Sequence, residues 1–299
     1  MTPHRNRARG FARGALLLAA ILLASAVAPG LPRAEEGGKL EAGDVVLPAG
    51  VSIQSLLIPQ DAAAPAGGGF DVAFRELPVV AEGTRLVALG DGKSVVDVAP
   101  YKIDDFAFTA DGRLILVSGD TLISPGKDGP VKVGALSSSG MKLRAAGKFA
   151  AYLFGGKDEP GNHDVYLLRP GGELVKLATL PSPVADVSGV VLEDTFQMDT
   201  LAATDRKIYR IESDAPVELI FEAGADIVSI AKAGADGIYY ATKNGVGYVD
   251  VNRRAHEFMP GHTGVLRLWG DNLYVWSPDE RRLLRIDGVL TSERWFNTE

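Results

Sequence analysis

Three aspartates stand at the same place in three repeated segments of the sequence, directly before an apolar run. Asp105 precedes FAF, Asp186 precedes VSG and Asp226 precedes IVS. If the segments superpose in the fold, the three carboxylates point towards one shared channel at one level. Such a ring repels itself unless it is protonated or neutralised by a cation, and its hard oxygen ligands suit Ca²⁺ or Mg²⁺. The pattern therefore predicts either a divalent-metal site or three separate caps on loops that enter strands.

Four polar loop residues form a second candidate set. GNHD places His163 beside Asp164 in a long loop, and HEFMPGH places His256 and His262 six residues apart. This spacing matches neither the helical zinc motif nor a zinc finger. We interpret the four residues as part of a partner-binding surface, with solvated loop residues and a zinc site as the alternatives.

Aromatic residues are concentrated in the last quarter of the chain, which contains Tyr239, Tyr240, Tyr248, Tyr274, Trp269, Trp276 and Trp295. Large rings fill the space between packed sheets, so most of them are expected in the core. Tyrosine and tryptophan at a rim also anchor protein and sugar contacts. Trp269 and Trp295 are therefore added to the candidate partner surface.

No arrangement of residues in the sequence predicts a catalytic centre. The chain has no cysteine and no G-x-S-x-G motif. Its paired carboxylates, such as Asp104-Asp105, are adjacent, and neighbours in a strand face opposite sides of the sheet. We therefore predict no catalytic residues and favour a non-enzymatic role.

Short strands must position all of these residues. From Phe70 onward, β-branched and aromatic residues alternate with polar ones or form short apolar blocks, and no long window has helical spacing. Between Asp226 and Gly288 one meander pattern occurs twice. The chain is predicted to be all-β and built from repeats.

Six copies of the repeat predict a single β-propeller, most simply six-bladed, within a range of five to seven blades. A β-sandwich and a β-helix are the rival folds. Closing the ring removes sheet edges, and VSIQSLLI (51–58) is predicted to complete the last blade as a strand from the other terminus. The turns of the copies are expected at Gly90, Gly119, Gly155, Asp205, Lys243 and Pro278, with LEDTFQMDT as an insertion.

The segments DGRLILV, DGIYYAT and GDNLYVWS resemble the repeats of six-bladed propellers in the NHL and SMP-30/strictosidine-synthase-like groups. The likeness covers residues 70–290 and is generic. It implies a propeller and, from the SMP-30-like enzymes, a divalent metal in the channel. The ligand set of those enzymes cannot be matched residue by residue here.

The N-terminus is typical of an exported protein. Four arginines precede the thirteen-residue segment Ala15–Val27, which is too short for a membrane-spanning helix of about twenty residues. We predict a signal peptide over 1–26, with cleavage as late as residue 34 as the alternative, an exposed leader over 27–50 and a propeller domain over 51–299. The expected location is the periplasm or the exterior, with no stable membrane insertion after cleavage.

The charge balance limits the partners of the mature chain. Removing four arginines and no acids takes the formal net charge from −7 to −11. Nucleic acid and anionic lipid surfaces attract basic patches, so neither is expected to bind. We therefore predict an exported interaction or scaffold module that binds an envelope protein. A metal-dependent hydrolase or lactonase of the SMP-30-like type and a small-ligand sensor that uses the channel are the alternatives.

Overall fold

The chain folds as a β-propeller of six four-stranded antiparallel sheets. The computed structural model describes residues 52–57, 69–73, 76–89, 92–148, 150–157, 161–192, 197–213, 215–234 and 237–289. These residues include 24 strands and one short 3-10 helix, Gly161–His163. The prediction of an all-β, six-bladed propeller is confirmed.

Four consecutive strands form each of blades 1 to 5, and the first strand of each lies innermost. Blade 1 consists of β2 (Phe70–Ala73), β3 (Leu77–Glu82), β4 (Arg85–Ala88) and β5 (Ser94–Asp97), and blade 2 of β6 (Asp105–Phe108), β7 (Leu114–Ser118), β8 (Thr121–Gly126) and β9 (Gly129–Ala135). Blade 3 consists of β10 (Met141–Ala145), β11 (Ala151–Gly155), β12 (Asp164–Leu168) and β13 (Leu174–Thr179), and blade 4 of β14 (Asp186–Leu192), β15 (Gln197–Ala203), β16 (Lys207–Ile211) and β17 (Glu218–Glu222). Blade 5 consists of β18 (Ile227–Ala233), β19 (Gly237–Thr242), β20 (Gly245–Val249) and β21 (Ala255–Pro260).

Blade 6 joins the two ends of the described chain. It consists of β22 (Val265–Trp269), β23 (Asn272–Ser277), β24 (Arg282–Asp287) and, as its outermost strand, β1 (Ser52–Leu57). Ser52 pairs with Asp287 and Leu57 with Arg282 in an antiparallel register. The predicted closure of the last blade by residues 51–58 is therefore confirmed for Ser52–Leu57.

The inner strands make contact around a ring in the order β2, β6, β10, β14, β18, β22 and back to β2. All begin at the same end of the ring, here called the entry face. The turns between the second and third strands and the connections from blade to blade also lie at this face, because strands within each blade alternate in direction. The opposite end is called the exit face.

Polar side chains secure the seam between blades 6 and 1. Arg285 Nη2 lies 3.0 Å from Glu76 Oε2, and its Nε lies 2.6 Å from Asp287 Oδ1. Gln54 Nε2 of the closing strand donates to the same Asp287 at 3.1 Å. One arginine thus links the first and last blades beside the strand that closes the ring.

Six apolar clusters hold the propeller together, one between each pair of neighbouring blades. The blades are covered on both faces, so a strand such as β11 is buried at every position, whereas β9 on the perimeter is largely exposed. Tyr239, Tyr248 and Tyr274 are fully buried between blades. The prediction that most late aromatic residues belong to the inter-blade core is confirmed for these rings.

Two details of the predicted repeat are corrected. In blade 1 the turn equivalent to the other five follows β3 at Gly83, whereas Gly90 follows β4 and lies outside the described residues. The long interval between Gly155 and Asp205 has two sources: the connection that contains the 3-10 helix, and the seven-residue strands β14 and β15. Leu192 and residues 197–200 therefore belong to the two long strands of a hairpin in blade 4, and residues 193–196 lie outside the described part.

The predicted signal peptide, the leader and residues 290–299 also lie outside the described residues. Among the residues that are described, no helix has the length and apolar character needed to cross a membrane.

Candidate functional site: a channel ring and a cleft

Polar side chains interrupt the apolar inner strands and join neighbouring blades around the channel. We call Asp71, Asp105, Arg144, Asp186, Ser229 and Arg267 the channel ring. Each contact reaches from one blade to the next, and the six junctions are Asp71 to Phe108 N, Asp105 to Leu143 N, Arg144 to Asp186, Asp186 to Ile230 N, Ser229 to Leu266 N, and Arg267 to Asp71.

Arg144 is the centre of this ring because it contacts carboxylates on both sides. Its Nη1 lies 3.2 Å from Asp105 Oδ2 in blade 2, and its Nε lies 2.8 Å from Asp186 Oδ1 in blade 4. The guanidinium also packs over the Phe154 ring at 5.4 Å. Asp186 is fully buried and Asp105 is 5% exposed. The cation that neutralises these two carboxylates is thus supplied by the protein.

Backbone amides complete the coordination of the buried carboxylates. Asp105 Oδ2 accepts from Leu143 N at 2.9 Å, and Asp186 Oδ2 accepts from Ile230 N at 3.1 Å. Hydrogen bonds from amides stabilise the charged form of a carboxylate. Asp105 Oδ1 is the exception, since it is buried and has no hydrogen-bond partner in the described part of the chain.

The two ion-pair systems of the ring differ in strength. Burial acts to raise the pKa of Asp186, but Arg144 and then Arg267 hold it below its usual range. Burial raises the pKa of Asp71, which Arg267 offsets only in part. Burial and repulsion from Arg144 lower the pKa of Arg267 to about 10. The longer distance of 3.5 Å between Arg267 Nε and Asp71 Oδ1 is consistent with this weaker pair.

The third predicted carboxylate, Asp226, does not join the other two. Its side chain is 71% exposed, and Arg206 Nε lies 3.1 Å from its Oδ1. Ile227 N donates to the carbonyl of Asp205, which fixes this segment against a neighbouring turn of blade 4. The predicted ring of three is therefore a buried pair around Arg144 and one surface residue.

In the channel, an arginine lies between two of the carboxylates that the sequence predicted to hold a divalent cation. No group of three histidine or carboxylate side chains comes together in the described ranges. In the channel, Arg144 already contacts one oxygen of Asp105 and one of Asp186. Ca²⁺ needs six to eight oxygen ligands, and this donor set falls short of that number.

Asp226 instead lines a cleft on the entry face of blade 4, with a volume of about 680 Å³. Residues 181–185, which enter the blade, form one wall with two prolines. The turn at 204–207 and residues 222, 226 and 227 form the rest, and Tyr209 lies in the lining. We call this feature the entry-face cleft.

Charged side chains are available in the entry-face cleft. Asp205 and Glu222 are exposed and Lys207 is half-buried. None of the three has an ion-pair partner among the described residues. Arg206 is 57% exposed, and its Nε lies 3.1 Å from Asp226 Oδ1. The cleft therefore offers both acidic and basic groups to a ligand.

His163, a predicted partner residue, supports one wall of this cleft. Its Nδ1 lies 3.0 Å from the carbonyl oxygen of Leu180, and Leu180 N donates to the carbonyl of His163 at 2.8 Å. Val184 N donates to the carbonyl of Asn162 at 2.9 Å. The 3-10 helix thus fixes the segment that lines the cleft.

Asp164 has a structural environment. It is buried and accepts from Thr179 Oγ1 at 2.6 Å and Tyr166 OH at 3.0 Å, and Lys176 Nζ lies 2.8 Å away. Burial acts to raise the pKa of Asp164, but the bond from Lys176 and the two hydroxyl bonds lower it. These contacts join β12 to β13, so the residue stabilises the outer part of blade 3.

The other predicted partner residues are dispersed. His256 Nε2 lies 3.0 Å from Asp250 Oδ2 beside the exit-face turn of blade 5, and His262 lies in the connection to blade 6. Trp269 is half-buried against the cluster between blades 6 and 1. Trp295 lies outside the described residues. The described candidates do not form one surface.

Sequence reasoning missed the arginines that organise the channel. Arg144 stands in MKLRA and Arg267 in VLRLW, each within an apolar strand. A charged residue at such a position is expected to have a buried partner, because an unpaired charge is strongly disfavoured in the interior. That signal is present in the sequence, but it lies inside the strands and not at the strand entrances where the predicted carboxylates stand.

Comparison with protein-family models and with curated protein sequences finds no match for the chain. Its fold resembles those of several solved structures at low sequence identity. A gluconolactonase from Xanthomonas campestris has a TM-score of 0.59 at 13% identity, over 79% of this chain and 89% of that chain. Virginiamycin B lyase from Staphylococcus aureus has a TM-score of 0.55 at 12% identity, over 79% and 99%.

A third similar structure is the calcium-binding protein regucalcin from Agrobacterium tumefaciens, with a TM-score of 0.53 at 15% identity, over 73% of this chain and 88% of that chain. At these identities the likeness establishes the fold alone. The chain is therefore a six-bladed β-propeller with structural neighbours among gluconolactonase-like and regucalcin-like proteins.

Proposed function

We propose that this chain is an exported, non-catalytic β-propeller that binds a protein partner in the cell envelope through the entry-face cleft. The observation that carries the proposal is the contrast in charge pairing between the channel and the cleft. In the channel, Arg144 and Arg267 are in contact with buried carboxylates. In the cleft, Asp205, Lys207 and Glu222 lack ion-pair partners among the described residues.

Burial explains why the two places suit different roles. A catalytic or metal-binding carboxylate must have an oxygen available to the substrate or metal. Asp186 has both oxygens engaged, by Arg144 on one and by Ser229 and Ile230 N on the other. Charges at the rim of a cleft set the orientation and partner choice of a complex, which is the role we assign to Arg206 and Asp226.

The mixed lining of the cleft favours a polypeptide as its ligand. Pro181, Pro183 and Tyr209 provide apolar surface beside both signs of charge. Protein interfaces combine an apolar or aromatic centre with a charged rim. The predicted signal peptide supports a partner in the envelope, and the acidic mature chain argues against nucleic acid.

Retention of an envelope protein by the immobilised mature chain, residues 27–299, tests the proposal. The test variant carries Arg206→Met together with Asp226→Ala. The matched control carries Arg253→Met together with Glu218→Ala, another exposed ion pair, at 2.6 Å on the exit-face side. Circular dichroism should show that both variants remain folded.

The captured protein is then purified and titrated against the three chains. We expect the cleft variant to bind at least about tenfold more weakly, or about 1.4 kcal/mol, while the control matches the wild type. Equal affinity of the cleft variant and the wild type, or no protein retained by the wild type, would overturn the proposal.

A metal-dependent hydrolase or a small-ligand sensor is the second candidate. Asp105 Oδ1 favours it as the buried channel oxygen without a hydrogen bond, and the fold is similar to that of gluconolactonases. Elemental analysis of protein purified without chelator, combined with a lactone-hydrolysis assay, separates the candidates. At least about one equivalent of divalent metal together with turnover would replace the binding proposal. Less than about a tenth of an equivalent would remove the metal-dependent hydrolase.

A further inference from the structure

Tyr209 brings an unused polar group to the lining of the entry-face cleft. Only 8% of its surface is exposed, because its ring packs in the apolar cluster between blades 3 and 4, yet the residue lines the cleft. Its hydroxyl has no hydrogen-bond partner in the described part of the chain. A tyrosine hydroxyl that is mostly buried normally finds a partner. We therefore expect a ligand in the cleft to hydrogen-bond to Tyr209.

Acidic groups outnumber basic ones in the same lining. Arg206 and Asp226 neutralise each other across 3.1 Å. The remaining charged residues are Asp205, Glu222 and Lys207, so three carboxylates and two cations leave a surplus of one negative charge. A surplus of this sign attracts a ligand that carries positive charge.

Another cation, Lys142, lies close to the cleft but does not line it. Its Nζ donates to the carbonyl oxygen of Ala185 at 3.2 Å, and Ala185 belongs to the lining. Lys142 precedes Arg144 by two residues in β10, so its side chain leaves the strand on the face that carries the channel ring. The acidic surplus inside the cleft is therefore not neutralised by a residue of the lining.

Backbone hydrogen bonds fix the two unpaired carboxylates before a ligand arrives. Ala223 N, next to Glu222, donates to the carbonyl of Arg206 at 2.7 Å. Ile227 N donates to the carbonyl of Asp205. These bonds hold the turn that carries Asp205 against the end of the strand that carries Glu222. A site that is already ordered loses less conformational entropy when it binds a ligand.

We propose that the entry-face cleft binds an arginine or lysine side chain of an extended segment of the partner protein, with Asp205, Glu222 and Tyr209 around its cationic head. Arginine and lysine side chains only donate hydrogen bonds, so they match two carboxylates and a hydroxyl oxygen that accepts. The apolar stem of such a side chain suits the exposed rings of Pro181 and Pro183 in the lining. This inference rests on the proposed function, because the segment belongs to the partner.

Titration of four synthetic peptides into the isotope-labelled mature chain, residues 27–299, tests the inference by NMR. The peptides share one blocked Gly-Ala-X-Ala-Gly sequence, in which X is arginine, lysine, norleucine or glutamate. Each is added up to about 10 mM, because a single contact of this kind gives weak binding. The amide shifts of residues 204–207 and 222–227 report on the cleft.

A charge-matched pair of variants accompanies the wild type. The test variant carries Asp205→Asn together with Glu222→Gln, which removes both charges and keeps the shapes of the side chains. The control carries Asp279→Asn together with Glu280→Gln, in the equivalent turn of blade 6 at the same face. Both variants leave the ion pair of the cleft in place.

We expect the arginine peptide, the lysine peptide or both to bind at least about threefold more tightly than the other two, in the wild type and in the control. The test variant should lose this preference. Tyr209→Phe should weaken the binding of the basic peptide by about threefold, since it removes one hydrogen bond. Unchanged affinity in Tyr209→Phe would overturn the role of its hydroxyl.

Three results would overturn the inference as a whole: equal or tighter binding of the glutamate or norleucine peptide, no shift at the cleft with any peptide, or a preference that persists in the test variant. The retention experiment decides the proposed function separately. A partner that the wild type retains and that Arg206→Met with Asp226→Ala loses would uphold binding at the cleft even if no basic peptide binds there.

Discussion

The channel ring and the entry-face cleft contain the same kind of ion pair in opposite environments. Arg144 Nε lies 2.8 Å from Asp186, and Arg206 Nε lies 3.1 Å from Asp226. The first pair is 12% and 0% exposed, whereas the second is 57% and 71% exposed. The distances are similar, so exposure and not distance separates the buried pair from the surface pair to which we assign a role in recognition.

Desolvation is the physical reason for this difference. A charge that loses its partner in the interior is left without water, and the cost is several kcal/mol. A charge that loses its partner at the surface is solvated again, and the cost is near zero. Substitutions in the channel ring should therefore affect stability, whereas substitutions in the entry-face cleft should affect the proposed binding.

The largest effect is expected for Arg144→Met. The change leaves the buried carboxylates of Asp105 and Asp186 without their cation, and we expect the free energy of unfolding to fall by about 3–5 kcal/mol. Urea denaturation at pH 7 measures it. The matched variant Arg206→Met should lose no more than about 1 kcal/mol. Equal losses of unfolding free energy in the two variants would contradict the distinction between the buried pair and the surface pair.

Gly69→Ala should give the second-largest effect. A Cβ at this position would lie 1.9 Å from Asp105 Oδ1 and 3.2 Å from its Cα. Asp105 is held by Leu143 N and by Arg144, so relief requires movement within the ring, at a cost of about 1–3 kcal/mol. Gly224→Ala, beside the cleft, meets no atom within 4 Å and serves as the control. It should be neutral or stabilise by up to about 1 kcal/mol. Thermal unfolding of both variants checks the order.

The pH dependence of stability should separate the two carboxylate systems of the ring. The lowered pKa of Asp186 gives stability that is present above the unfolded value of about 3.9 and is lost as pH falls through the folded pKa. The raised pKa of Asp71 has the opposite sign, since its contribution is present below about 3.9 and is lost as pH rises through the folded pKa.

Urea unfolding between about pH 3 and pH 7 therefore gives opposite trends for the two asparagine variants. Asp186→Asn should have a lower free energy of unfolding than the wild type at neutral pH, and this difference should become smaller as pH falls below about 4. The free energy of unfolding of Asp71→Asn should increase relative to that of the wild type as pH rises. Parallel curves for the two variants would show that the carboxylates share one environment.

The smallest effect on stability is expected for Asp226→Ala, at no more than about 0.5 kcal/mol. Its carboxylate is exposed, so 0.5 M NaCl should reduce even this difference, because salt screens surface charges. Differential scanning calorimetry with and without salt measures the change. A salt-independent loss of more than about 1 kcal/mol would place Asp226 with the buried residues and not with the cleft.

The architecture could be predicted from the sequence because it rests on local, repeated signals. The alternation of apolar and polar residues predicted the strands, and the repeated hairpin pattern predicted the six blades. VSIQSLLI was identified as the closing strand since a ring needs one strand from the other end. The buried tyrosines followed from the need to fill the space between blades. The predicted turn position at Gly90 is wrong, because the four-residue strand β4 lies between the equivalent turn at Gly83 and this glycine in the sequence.

The candidate site was less predictable because pairing between blades is not a local property. Asp105, Asp186 and Asp226 look equivalent in sequence, yet Asp226 lies on the surface while the other two contact Arg144. The partner Arg144 lies 39 and 42 residues away from them along the chain. Spacing alone cannot tell which cation a carboxylate meets. The entry-face cleft combines residues from three separate segments, so it too appears only after folding.

A double-mutant cycle between Arg144 and Asp186 tests the central claim most directly. Unfolding free energies of the wild type, Arg144→Met, Asp186→Leu and the double variant give the coupling energy between the two side chains. If the arginine neutralises the buried carboxylate, the double variant should be more stable than the sum of the single losses predicts, with a coupling of about 2–3 kcal/mol. A coupling below about 0.5 kcal/mol would contradict the account, because the two residues would then act independently.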